Sequence, residues 1–224
     1  MKYKKAAKYT LIGLAAVVLL AALGMVIWSA TGTYPARSTA KEAMASTTQI
    51  TVTRDKWIIF TPAGKPNIGL IFYPGGLVEP QAYAPVLHEI AAEGVLTVIT
   101  PMPLNLAIFN PDAAGAVIDA YPSIDTWILA GHSLGGAAAS IYAANNASRI
   151  EGLALWDSFP PDSADLSAVK LPVLSLYGTT NGLPNTDNFD AKRPLLPADA
   201  QYEAIEGASH AQFGDYGPQK GDVA

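Results

Sequence analysis

The chain has 224 residues, a net charge of -5 and no cysteine. Disulfides and thiol chemistry are therefore excluded, and scattered lysines on an acidic background offer no basic face for nucleic acid. Half of the residues are hydrophobic and only 15% are charged, which suits one ordinary globular domain plus a separate apolar element.

That element comes first. Lys2, Lys4, Lys5 and Lys8 precede an uncharged run from Leu11 to Ala30, long enough as a helix to cross the roughly 30 Å hydrocarbon core of a bilayer. A cleaved signal peptide has a shorter apolar part, about 7 to 15 residues, ending in a small-x-small site. Ser29-Ala30-Thr31 and Tyr34-Pro35-Ala36 match that site poorly. The expectation is an uncleaved anchor at 11–30 with Trp28 near its far interface. The lysine bias puts residues 1–10 in the cytoplasm and the remaining chain outside the membrane. Residues 31–48 are small and polar and read as a tether, followed by a folded domain over 49–224.

Within the domain, Ile50 to Thr53 and Trp57 to Phe60 form an expected hairpin across Arg54-Asp55-Lys56. Ile68 to Tyr73 is a nearly continuous apolar run, the pattern of a strand covered on both faces, and it stops at Pro74-Gly75-Gly76. Apolar residues at helical spacing predict a helix over 80–93, closed by Gly94. Then come a strand at Val95 to Thr100, a loop, a helix at Ala113 to Ala120, a strand ending at Gly131, a helix to about Asn145, and strands at Ile150 to Trp156, Val173 to Tyr177 and Gln201 to Ile205. Alternating strands and helices predict an α/β domain with a mostly parallel central sheet and helices on both faces. The loop after Trp156 is too short for a large lid, so the site should be open.

The chemistry centres on Gly131-His132-Ser133-Leu134-Gly135-Gly136. Following a strand and opening a helix, this sequence presents Ser133 on a tight turn as a nucleophile. A neutral hydroxyl needs a base within reach. Of the three histidines, His132 adjoins Ser133 and should point elsewhere, and His88 falls on a helix surface. His210 follows the last strand, at the same carboxyl edge of the sheet, and is the expected base. An oxyanion needs two N–H donors: Leu134 supplies one and Gly76, or failing it Leu77, the other. Trp127 and Trp156 read as packing residues, and the 102–107 loop either lines an acyl pocket or packs in the core.

With Tyr73-Pro74-Gly75-Gly76, Met102-Pro103-Leu104-Asn105-Leu106-Ala107, the Ser133 elbow, Leu171-Pro172-Val173-Leu174-Ser175-Leu176-Tyr177-Gly178 and His210-Ala211-Gln212-Phe213-Gly214 in place, the sequence resembles the α/β-hydrolase family, in its small cap-less dienelactone-hydrolase-like branch. The resemblance implies a Ser, acid, His order along the chain, serine-ester chemistry, and no metal or cofactor. Related folds add a final helix after the histidine, whereas this sequence ends at Ala224.

One position departs from the family. Where the resemblance implies an aspartate after Tyr177-Gly178, the chain has Asn181. An amide can accept the histidine N–H but cannot offset an imidazolium charge. Asp157, at the carboxyl end of the preceding strand, is the preferred substitute; Asn181 as a weak orienting group and Asp187 are the alternatives. The expectation is a single-pass membrane serine hydrolase cleaving a small ester, with a non-catalytic binding module of the same fold as its rival.

Overall fold

The computed structural model describes residues 2–180, 182 and 189–223. The chain divides into two units, one up to Thr33 and one from Tyr34 onward. The first is helix α1 (Lys2–Gly32), whose segment Leu11–Gly32 is 22 residues long and contains an 18-residue stretch with a mean hydropathy of 2.7. At 1.5 Å per residue such a segment spans roughly 33 Å.

The second unit opens with a difference from expectation. The stretch 34–48 does not run free as a tether: it carries the short helix α2 (Ser38–Glu42), and Ala36, Ala40 and Met44 are buried in the core. Apolar side chains four residues apart fall on one face of a helical turn, and here that face meets the domain. Tyr34 is bound on both sides, its N–H donating to Leu77 O at 2.7 Å and its carbonyl accepting from Glu79 N–H at 3.0 Å.

The strands β1 (Ile50–Arg54) and β2 (Ile58–Pro62) form the expected hairpin, with Val52 opposite Phe60. Next come β3 (Ile68–Tyr73), a 3-10 turn Pro80–Tyr83 leading into α3 (Ala84–Ala92), β4 (Leu96–Ile99), α4 (Ala113–Ala120), β5 (Thr126–His132) and α5 (Leu134–Asn146). Then follow β6 (Gly152–Trp156), β7 (Val173–Gly178), α6 (Phe189–Lys192) and β8 (Gln201–Ile205). The eight strands form one sheet in the order β1-β2-β4-β3-β5-β6-β7-β8, with β2 antiparallel to both of its neighbours and every other pair parallel.

Strand alternation divides the core into two layers. Ile71, Tyr73, Leu129, Leu153 and Leu155 face Ala114, Val117, Ala139 and Tyr142 of α4 and α5. Leu70, Phe72, Ala130 and Trp156 face the other way, toward α2 and α3 through Ala40, Ala84 and Leu87. Burying an aliphatic or aromatic side chain stabilises the fold by about 1.5 to 3 kcal/mol, so these layers hold the sheet edge that carries the candidate site.

Candidate active site

Strand β5 lies between β3 and β6, with Tyr73 level with Gly131 and His132 level with Trp156. Ser133 follows His132 with φ 53° and ψ −123°, a conformation costly for a residue with a side chain. Serine at a helix start usually caps it by accepting a backbone N–H. Here the twist removes Ser133 from that role, and its side chain makes no capping bond. The sharp turn also demands glycine. A Cβ on Gly135 would lie 2.1 Å from Tyr73 O, and one on Gly131 would lie 2.5 Å from the Gly135 backbone. The Ser133 carbonyl is fixed from below by the Ser158 hydroxyl at 2.6 Å, and its N–H by Trp156 O at 3.1 Å.

Asp157 begins the loop after β6, on the next strand along the same edge, and has φ 44°. Its N–H donates to Leu176 O at 2.7 Å, and its Oδ1 accepts the Gly178 N–H at 3.0 Å. The other oxygen, Oδ2, lies 2.5 Å from His210 Nδ1. Both side chains are almost fully buried, 4% exposed for Asp157 and 6% for His210. A buried charge-assisted bond of this kind is short and directional, and it fixes both the ring orientation and the tautomer. His210 sits in a 3-10 turn, His210–Phe213, closed by a reciprocal cap between Ser209 and Gln212. The opposite ring nitrogen, Nε2, has no hydrogen-bond partner among the described residues.

The β7 exit turn, where the resemblance implied the acid, supports the neighbouring acid instead. Gly178 N–H holds Asp157, Thr180 N–H donates to Ala208 O at 3.0 Å, and Gly207 N–H donates to the Thr179 hydroxyl at 2.9 Å. Asn181 and Asp187 fall outside the described residues. Among the described residues, the acceptor at His210 Nδ1 is Asp157.

On the β3 side, Leu77 N–H donates to Asn105 O at 2.8 Å and Gly75 N–H to the Tyr83 hydroxyl at 3.0 Å. Those bonds commit the N–H groups on either side of Gly76. A Cβ on Gly76 would meet Leu134 Cδ2 at 3.0 Å and Leu106 Cδ2 at 3.7 Å, so Gly76 and Leu134 face one another. Leu134 is the first residue of α5, where a backbone N–H has no partner within the helix. The 102–107 loop does two jobs: Met102 and Ala107 are buried in the core, while Leu106 reaches Gly76.

Sequence reasoning missed a second network at this edge. The Tyr83 hydroxyl accepts from Gly75 N–H and lies 2.8 Å from His132 Nδ1. Burial pushes the Tyr83 hydroxyl well above its ordinary value, so it keeps its proton and donates it to His132. Burial, reinforced by nearby His210, holds His132 well below its ordinary 6.5. This neutral ring lies 4.4 Å from the His210 ring and stacks on Phe213. His88 is half-buried and packs edge-on against Phe60, away from this edge. Trp127 is buried in the α4/α5 layer, and Trp156 lines an apolar cavity of about 580 Å³ with Leu176, Ile205 and Phe213.

Backbone strain collects at the same edge. Among the described residues, five non-glycine residues have positive φ: Leu77, Leu104, Asn105, Ser133 and Asp157. Each lies on a loop leaving the carboxyl end of a parallel strand. Strain of this kind clusters at functional sites in other proteins, and here it coincides with the candidate site.

Comparison with known proteins agrees with this architecture. Three solved structures are similar in fold. TT1662 from Thermus thermophilus is 17% identical with a TM-score of 0.56, the match covering 73% of this chain and 91% of that one. A structure of LipS and LipT, two metagenome-derived lipolytic enzymes, is 14% identical with a TM-score of 0.53, covering 65% and 86%. MGS-MChE2, an alpha/beta hydrolase enzyme from the metagenome of lagoon sediments at Mar Chica, Morocco, is 16% identical with a TM-score of 0.57, covering 73% and 90%. No curated protein matches the chain. The model of the Alpha/beta hydrolase family matches residues 69–224, from the first parallel strand through the His210 turn, and the chain belongs to that family.

Proposed function

We propose that the chain is a membrane-anchored serine hydrolase acting on a carboxylic ester, with Ser133, His210 and Asp157 as its catalytic residues. The observation that carries this reading is the buried Asp157–His210 pair, whose Nε2 has no partner among the described residues, at the sheet edge that presents Ser133 on a strained elbow.

In this reading the Ser133 hydroxyl adds to the ester carbonyl while His210 Nε2 takes its proton. Asp157 holds the Nδ1–H and stabilises the imidazolium. The N–H groups of Leu134 and Gly76 receive the negative charge that develops on the carbonyl oxygen. Collapse of the tetrahedral intermediate expels the alcohol, which takes the proton back from His210 and leaves an acyl group on Ser133. Water then attacks the acyl carbon, again giving its proton to His210, and the acid departs as the serine is restored. The anchor is the Leu11–Gly32 segment, with the four N-terminal lysines in the cytoplasm and the hydrolase unit on the far side.

A fluorophosphonate probe tests the reading, because it reacts with an activated serine without needing the right acyl group. Covalent labelling of the wild-type chain and none of Ser133→Ala is the expected result. A folded wild-type chain that resists the probe would instead favour a non-catalytic binding module.

A further inference from the structure

Helix α1 runs to Gly32, and Tyr34 is already hydrogen-bonded within the folded unit, so along the chain Thr33 alone intervenes. Tyr34 N–H donates to the carbonyl of Leu77, next to Gly76, at 2.7 Å. A 22-residue apolar helix matches the hydrocarbon thickness closely, which puts Gly32 at its boundary and Tyr34 among the headgroups.

The third piece is the loop after β4. Leu77 N–H bonds Asn105 O, and three residues further along the chain Ile108 and Phe109 are 46% and 51% exposed. Among the described residues from Tyr34 onward, they are the one pair of adjacent large hydrophobics left in solvent. Within the folded unit, one ladder of backbone bonds thus links Tyr34 to Leu77 and Leu77 to Asn105, and so to the exposed tip. Water offers nothing for such a tip, whereas a headgroup-to-acyl boundary does.

We propose that the Ile108–Phe109 tip seats in the leaflet that holds the chain's own anchor, so that the hydrolase site takes its acyl ester from that bilayer. The substrate class is then a membrane-resident lipid ester, an inference that rests on the serine-hydrolase reading above. Ile205, 42% exposed at the end of the edge strand β8 where it lines the Trp156 cavity, is separated from β4 by β3, β5, β6 and β7 and serves as a control position.

The absence of native cysteine makes the test clean. The full chain is reconstituted into phosphatidylcholine vesicles containing nitroxide-bearing lipid, with an environment-sensitive fluorophore on Ile108→Cys or, as control, on Ile205→Cys. The Ile108 label should shift to the blue and be quenched, and the Ile205 label should not. Separately, the double variant Ile108→Ser, Phe109→Ser should lose about tenfold or more in turnover of a bilayer-resident fluorogenic ester, from two apolar side chains no longer buried in lipid. Turnover of a water-soluble short-chain ester should stay within about twofold. An Ile108 label no more quenched than the control, or equal losses on both esters, overturns the proposal. A wild-type chain that turns over neither ester removes the hydrolase reading, while the quenching result still decides the docking of the tip.

Discussion

Two histidine rings lie 4.4 Å apart at the carboxyl edge of the sheet, in contrasting surroundings. His210 is paired through Nδ1 with a carboxylate, and its Nε2 has no partner among the described residues, the arrangement on which its proposed role as base rests. His132 is paired through Nδ1 with a phenol that cannot offset a positive charge, and burial keeps it neutral. In the proposed mechanism the same side chain serves as a base or as a packing element according to whether its partner can carry a negative charge. His132 and Tyr83 also hold Gly75, and through it the turn that offers Gly76.

Exchanging the roles of the two rings is the strongest way to break this contrast. His210→Ala should reduce ester turnover by on the order of 10⁶, as should Ser133→Ala, because removing either member of such a unit removes the nucleophilic route. Comparable turnover from His210→Ala and His132→Asn would dissolve the distinction.

Tyr83→Phe probes the structural ring. It leaves Gly75 N–H and His132 Nδ1 without their shared partner in a buried site, and should cost about 1 to 3 kcal/mol in stability, read from chemical unfolding of the detergent-solubilised chain. Fluorophosphonate labelling of the folded variant should persist, slowed by looser placement of the oxyanion loop.

The smallest effect is a pH slope. His132 has a depressed value in the folded chain and an ordinary one, near 6.5, once unfolded. Below pH 6.5 the unfolded chain therefore binds a proton that the folded chain refuses, so stability falls as pH falls. The slope from this group approaches about 1.4 kcal/mol per pH unit. In His132→Asn, which keeps an acceptor for Tyr83, that component should vanish. Identical slopes for wild type and variant would show that His132 does take up a proton in the fold.

Much of the framework was legible in the sequence because it is local. The apolar run Ile68 to Tyr73, the helix Ala113 to Ala120 and the strand Gln201 to Ile205 match the structure at both ends, since turn residues or a change of period bound each of them. The elbow was legible for the same reason: Gly131, Gly135 and Gly136 fall within one six-residue stretch, and each is required by a close backbone or side-chain approach. What escaped is non-local. The Tyr83–His132 contact joins residues 49 apart, and nothing near either residue announces it. The positive φ values of Leu77 and Leu104 fall on a residue type that does not advertise them, whereas that of Asn105 falls on one that tolerates them. The burial of 34–48 did leave a trace, in Ala36, Ala40 and Met44 at four-residue spacing, but small polar neighbours obscured it. For the acid, sequence pattern weighed Asp157 against Asn181, and no local feature separates two residues that follow adjacent strands.

The most direct measurement is therefore ester turnover of Asp157→Asn beside Asn181→Ala, both as folded full-length chains with a water-soluble short-chain ester. With Asp157 as the partner of His210, the first should fall by about 10⁴ and the second should stay within a few-fold of wild type. A large loss in Asn181→Ala, with Asp157→Asn nearly unaffected, would contradict the assignment and move the acid's role to the β7 turn.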